Sequence, residues 1–107
     1  MDEKDIIQAY DVATLAAEAL FMAGEKAINA KDKLETARLE ALINGSIVGK
    51  NADEREASAR IFLTTLYTQV SVTQELERGC RYEFDKALRN IEKVRAILRL
   101  MEITAKV

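Results

Sequence analysis

The sequence predicts an all-α protein: a long antiparallel helical hairpin that oligomerisation completes as a four-helix or larger bundle. Three observations predict this fold. Apolar residues recur at alternating steps of three and four along two long segments, one stretch of turn chemistry separates the segments, and the 107 residues contain no proline. Such steps place side chains on one helix face, and proline would interrupt a helix. A chain of this length is expected to form one domain, residues 1–107.

Helix 1 is expected over residues 3–44. Its apolar series contains one polar member, Lys31, and its last turn, Leu42-Ile43-Asn44, stands just before Gly45. Gly45 stands where a helix takes a left-handed C′ residue. The other members of the series are Ile6, Tyr10, Ala13, Ala17, Leu20, Gly24, Ala27 and Leu34.

Residues 45–51 are expected to form the loop. Asn51 is a good N-cap, and Glu54 follows three residues later, as in a capping box. The segment Gly45–Asn51 is one residue shorter than a phosphate-binding loop and follows a helix rather than a strand, so we expect no nucleotide triphosphatase. A weaker anion site that uses Lys50 and the helix N-terminus stays open, although nearby acidic residues already occupy that positive end.

Helix 2 is expected over residues 52–104. One window, residues 64–73, is rich in β-branched residues and would also fit a strand, but the apolar steps run through it. Consecutive four-residue steps at Leu76, Cys80 and Phe84 predict a stutter, and a kink near Gly79 is the alternative to a straight helix. The full series is Ala59, Phe62, Leu66, Gln69, Thr73, Leu76, Cys80, Phe84, Ala87, Ile91, Val94, Leu98 and Met101, with Gln69 and Thr73 as polar register markers.

A loop centred near residue 48 sets the pairing of the two helices. It places Ala13 opposite the Phe84 region, Tyr10 opposite Ala87, and Ile6 opposite Ile91. The N-terminal end of helix 1 then lies opposite about residue 93, so residues 94–107 of helix 2 form an apolar overhang. A two-helix hairpin cannot bury that much apolar circumference, so we expect self-association as a homodimer or higher oligomer. The predicted oligomer interface is Val94, Ile97, Leu98, Leu100, Met101 and Ile103.

Charge divides unevenly along the chain. Residues 78–107 hold four acidic and eight basic residues, whereas the start of helix 1 is acidic. We expect these segments to match each other within or between subunits, and nucleic-acid binding is the less favoured reading. The residues expected to contact an anion or nucleic acid are Lys50, Arg78, Arg81, Lys86, Arg89 and Lys93.

Composition excludes several chemistries for this chain. With no histidine, it has neither an imidazole base nor a histidine metal ligand, and one cysteine cannot form an intrachain disulfide or a cysteine-only zinc site. Cys80 falls on the predicted seam and is expected to be a buried small hydrophobe. We therefore predict no catalytic, metal or cofactor-binding residues, and a protein that is not an enzyme.

The loop and the start of helix 2 carry the pattern Gly49-Lys50-Asn51-Ala52, then Arg55 and Ala57. This GKNA-x-x-R-x-A turn between two long helices resembles small helical proteins of bacterial viruses and prophages. The resemblance implies a virus-derived protein in the host bacterial cytoplasm, of the kind that binds or inhibits a host protein complex.

Two other functions stay open: a nucleic-acid-binding accessory protein that uses the basic half of helix 2, and sequestration of a small anionic ligand between subunits. No membrane contact is expected, because the stretch Val12–Gly24 is too short to span a bilayer and contains Glu18.

Overall fold

Three α-helices make up the described chain and confirm the all-α hairpin architecture. The computed structural model describes residues 1–106, and residue 107 of the predicted domain lies outside them. Helix α1 spans Glu3–Ile43, α2 spans Ala52–Phe62 and α3 spans Thr64–Lys106. Residues 1–106 contain no strand, and the β-branched window is helical, as predicted. The long helix α1 packs along the helices of the second half of the chain.

Both ends of α1 are closed by local hydrogen bonds. At its start, the Asp5 amide donates to Asp2 Oδ1 at 2.9 Å and the Asp2 amide donates to Asp5 Oδ2 at 3.1 Å. At its end, Gly45 has a φ of 80°, and the Ser46 amide donates to the Ala41 carbonyl at 2.9 Å. This is a Schellman-type end, and it confirms Gly45 as the left-handed residue after the helix.

The start of α2 confirms the predicted cap. Asn51 is the N-cap and its side chain accepts from the Glu54 amide at 2.9 Å. Glu54 returns a bond, because its Oε2 accepts from the Lys50 amide at 2.6 Å. Two amides at the helix start are thereby satisfied by side chains.

The second half of the chain breaks at Leu63, where one continuous helix was predicted. Leu63 has a φ of −110° and a ψ of 30° and separates α2 from α3. The Thr64 hydroxyl donates to the carbonyls of Arg60 and Ile61, both at 2.8 Å. Such side-chain bonds to the preceding turn bend helices. Gly79, by contrast, lies inside α3, so the break occurs at Leu63 and not at the glycine.

The packing divides the chain into two compact units. Unit 1 comprises Met1–Met22 with Arg78–Val107, and unit 2 comprises Ala23–Glu77. In unit 1, Ala13 packs with Ala87 and Ile91. In unit 2, Ala41 packs with Ile47 and Ala59.

The seam of α1 is rotated from the predicted series. Ala30 is buried and Lys31 is exposed, so the polar member leaves the seam. The rotation occurs because alanines line this face of α1, and small side chains allow the closest approach of two helices. The observed seam in unit 1 is Ala9, Ala13, Ala16 and Leu20, and in unit 2 it is Ala23, Ala27, Ala30, Leu34, Ala37 and Ala41.

The side of the seam that α2 and α3 contribute follows alternating steps of four and three residues without interruption. The predicted stutter is therefore wrong. Leu63, Val70 and Glu77 take the places predicted for Phe62, Gln69 and Leu76, which are exposed. Of the two predicted register markers, only Thr73 is half-buried, and its hydroxyl donates to the Gln69 carbonyl at 2.8 Å. The seam is Ala59, Leu63, Leu66, Val70, Thr73 and Glu77 in unit 2, and Cys80, Phe84, Ala87, Ile91, Val94 and Leu98 in unit 1.

The pairing of the helices is also shifted from the prediction. Ala13 meets Ala87 and Ile91 rather than the Phe84 region, and the Tyr10 hydroxyl meets Arg95 rather than Ala87. At the tip, the Val48 amide donates to Ser58 Oγ at 3.1 Å, so the loop runs back along α2 instead of only bridging the helix ends.

This shift shortens the predicted overhang. Ala41, near the end of α1, packs against Ala59, which lies well inside α2. Ala41 and Ala13 therefore each meet a residue further along the chain than a symmetric loop predicts. Val94 is 5% exposed and so is covered within the chain. The prediction that the N-terminal end of helix 1 lies opposite residue 93 is therefore wrong.

Candidate interaction surface

The single chain exposes more surface than a compact protein of its size. Its accessible area is 8144 Å², whereas roughly 6000 Å² is expected for a compact monomer of 12.0 kDa. Large apolar side chains contribute to this surface; on α1, Leu15 is 65% and Phe21 is 69% exposed. The α1 side of the seam, in contrast, is built mostly from alanine, and no large side chain in the described chain is fully buried.

Helix α1 is apolar beyond its seam. An 18-residue window of α1 has a mean hydropathy of 1.3, and 17% of that window is buried. By length and composition alone, this window is long and apolar enough to cross a membrane. The expectation of no membrane contact rested only on the shorter stretch Val12–Gly24, which is too short to do so. The same composition also suits a helix that another protein chain covers.

The predicted interface residues separate into three groups. Val94 is buried within the chain and contributes to the seam. Ile97 and Leu98 are half-buried. Leu100, Met101 and Ile103 are exposed by 64%, 46% and 57%. The apolar end of α3 therefore presents three of the six side chains to solvent.

Three of the predicted anion contacts line one groove in unit 1. Lys86, Arg89 and Lys93 are exposed and border an open groove of about 460 Å³. They lie three and four residues apart on α3, and neighbouring positions of this kind share one helix face. Within the described residues, none of the three makes an ion pair. The remaining lining residues are Val12, Glu83, Ala87 and Asn90.

The other predicted basic contacts lie outside this groove. Arg78 and Arg81 are exposed and already engaged in noncovalent interactions. Lys50 belongs to unit 2, where its amide is bound by Glu54 and its side chain is exposed. The structure thus brings together three of the six residues and not the whole set.

Direct matching of the acidic start of α1 with α3 is not observed. Asp2 and Asp5 cap their own helix, and among the side chains of residues 1–105 no ion pair joins Asp2, Glu3, Asp5 or Asp11 to a base on α3. A polar contact that does join the two helices in unit 1 is the hydrogen bond from Arg95 Nε to the Tyr10 hydroxyl, at 3.2 Å. The cations of the groove are therefore available to a ligand or to another chain.

A polar cluster joins all three helices in unit 2. Glu56 Oε2 lies 2.9 Å from Arg38 Nη2, and its Oε1 lies 3.2 Å from Arg60 Nε. The Tyr67 hydroxyl donates to Glu56 Oε1 at 3.3 Å, and the Arg60 guanidinium lies 4.8 Å from the centroid of the Tyr67 ring. Burial raises the pKa of Tyr67 above its ordinary value; the charge of Arg38 opposes this rise and that of Glu56 adds to it.

This cluster braces the chain on both sides of the break at Leu63, because Glu56 and Arg60 lie in α2 whereas Tyr67 lies in α3. No pattern in the sequence indicated this cluster, because Arg38 and Glu56 meet only after the hairpin closes.

Cys80 is a free, half-buried thiol on the seam of unit 1. No group of three acidic or cysteine side chains over residues 1–106 is arranged to hold a metal ion. Compared with protein-family models, with curated proteins and with solved structures, the chain gives no match.

Proposed function

We propose that this chain is a non-enzymatic interaction protein of viral origin, which assembles as a homodimer or larger helical bundle and binds or inhibits a host protein complex in the bacterial cytoplasm. The observation that carries this proposal is the excess of accessible surface over a compact monomer, to which large exposed apolar side chains contribute. The GKNA-x-x-R-x-A resemblance supports the viral origin and the host partner. The exposed side chains of Leu100, Met101 and Ile103 contribute to the assembly surface.

The size of the excess fits self-assembly. The chain exposes about 2000 Å² more than a compact monomer of its mass. Obligate homodimers bury roughly 1000–2500 Å² from each chain, so one such interface accounts for this amount.

Absolute mass tests the assembly. We expect light scattering over a hundredfold range of concentration to give a dimer or larger species that persists on dilution. The apolar surface is the reason, since its burial is the main driving force of association. A monomer at every concentration would contradict the proposal.

The basic groove supports a second function, nucleic-acid binding by an accessory protein. Lys86, Arg89 and Lys93 are free of ion pairs within the described chain and share one face, so a phosphate backbone can lie along them.

If this second function holds, labelled DNA or RNA binds at low salt, with a slope of log K against log salt of about −2 to −3. Replacing Lys86, Arg89 and Lys93 with glutamine is then expected to remove this binding, as measured by fluorescence anisotropy. The charge-matched control replaces Lys4, Lys31 and Arg99. Equal binding by the two triple variants would exclude the groove as the site.

A further inference from the structure

We infer that a second copy of this chain docks on a second apolar stripe of α1, the outer stripe, made of Ile7, Tyr10, Thr14, Ala17 and Phe21. This inference rests on the proposed self-assembly and adds a face of α1 to its interface. The outer stripe lies entirely within unit 1.

The outer stripe has the same spacing as the seam but shares no position with it. Its members follow steps of three, four, three and four residues along α1. Ile7 is 52%, Tyr10 is 41% and Phe21 is 69% exposed, whereas Ala17 is half-buried. Tyr10 and Ala17 belong to the series that the sequence assigned to the seam. A helix with two such stripes has one more than a two-helix hairpin can cover.

The two edges of the outer stripe carry opposite charges. Asp11 and Glu18 each follow a stripe residue by one position and are exposed. On the side toward α3, Arg95 donates to the Tyr10 hydroxyl at 3.2 Å and so borders the stripe. A two-fold axis parallel to the stripe places the acidic edge of each copy toward the basic edge of the other. This face is therefore self-complementary, as a symmetric dimer requires.

The charges also select among occupants. The acidic edge disfavours an anionic lipid surface, and it disfavours another acidic helix aligned with the same edge. A second copy supplies apolar side chains and cations together, and dimer interfaces in general bury an area from each chain that is comparable with the excess of about 2000 Å².

The test replaces two outer-stripe residues and one matched residue beside the stripe. The double substitution Ile7→Gln with Phe21→Gln removes a large aliphatic side chain and the most exposed aromatic side chain of the stripe. Leu15→Gln is the control, because Leu15 lies on the same helix and is 65% exposed, nearly as much as Phe21. Sedimentation equilibrium measures the dimer dissociation constant of all three proteins, and circular dichroism measures their helix content.

We expect the double variant to dimerise at least roughly a hundredfold more weakly than the wild type, with Leu15→Gln close to the wild type. If the double variant loses helix content, the exposed substitution Glu18→Arg replaces it and is expected to weaken the dimer about tenfold.

A wild-type dimer that the stripe variants leave unchanged would overturn this inference and leave the proposed self-assembly standing. A monomeric wild type would overturn both, whether it stays free or sediments with phosphatidylcholine vesicles through α1.

Discussion

Replacing Gly49 with alanine is expected to lower the free energy of unfolding by about 3 kcal/mol. A Cβ atom at this position would lie 2.7 Å from the Arg55 amide nitrogen and 2.8 Å from the Glu54 carbonyl carbon. These are backbone atoms of α2, so neither can turn away as a flexible side chain does. The loop has to move instead, which breaks the bond from the Lys50 amide to Glu54.

Two other glycines are the controls for this measurement. Gly45→Ala meets no atom within 4 Å but has a left-handed φ of 80°, so we expect a loss of only about 1 kcal/mol. Gly79→Ala also meets open space, in the middle of α3, and should stabilise the chain by about 0.5–1 kcal/mol. Urea unfolding at one fixed protein concentration gives all three values. Equal effects of Gly49→Ala and Gly45→Ala would contradict the close approach at Gly49.

Ala59→Leu is expected to destabilise the chain by about 3 kcal/mol, through overpacking. Ala59 is 1% exposed and packs with Ala41, which is 2% exposed, and with Ile47. The added carbons have no room between the helices, so they force α2 away from α1. Thermal and urea unfolding both report this loss.

Ala57→Leu is the matched control for this substitution. Ala57 lies on the same helix and is exposed, so the larger side chain extends into solvent and changes stability by less than about 0.5 kcal/mol. Similar losses for Ala57→Leu and Ala59→Leu would mean that α2 does not pack against α1 through Ala59.

The ends of the helices were predictable because short-range chemistry determines them. Asn51 and Glu54 stand within one helical turn, and Gly45 lies two residues after the last residue of α1. Their hydrogen bonds form between neighbours in the sequence, so the residue types alone identify them. The break at Leu63 is also determined locally, by the hydrogen bonds of the Thr64 hydroxyl to the preceding turn. Threonine also occurs in straight helices, so its presence did not predict the break.

The choice of seam was not predictable from apolar spacing, because α1 has two candidate series. The predicted series, which includes Tyr10 and Ala17, contains the larger apolar side chains. The helices nevertheless meet along the series that contains Ala9, Ala13 and Ala16. Close packing favours small side chains over large ones when many are aligned. The interface prediction inherited this error at Val94, which was counted as free but is buried within the chain.

The sequence predicted the types of the groove residues but not their grouping. Lys86, Arg89 and Lys93 share one groove because they lie on one helix face. Lys50 is remote from them along the chain and belongs to the other compact unit. Net charge over a segment carries no information of this kind, since it ignores which side of a helix each residue occupies.

The alanine seam has a thermodynamic consequence. Unfolding exposes apolar surface in proportion to what the native state buries, and this surface sets both the heat capacity change and the denaturant dependence. A chain whose buried layer is mostly methyl groups has little to expose, so its stability varies weakly with temperature when it stands alone. Covering Ile7, Tyr10 and Phe21 adds large side chains to the buried set. If the proposed dimer forms, much of the curvature of the stability curve therefore comes from the assembly and not from the single chain.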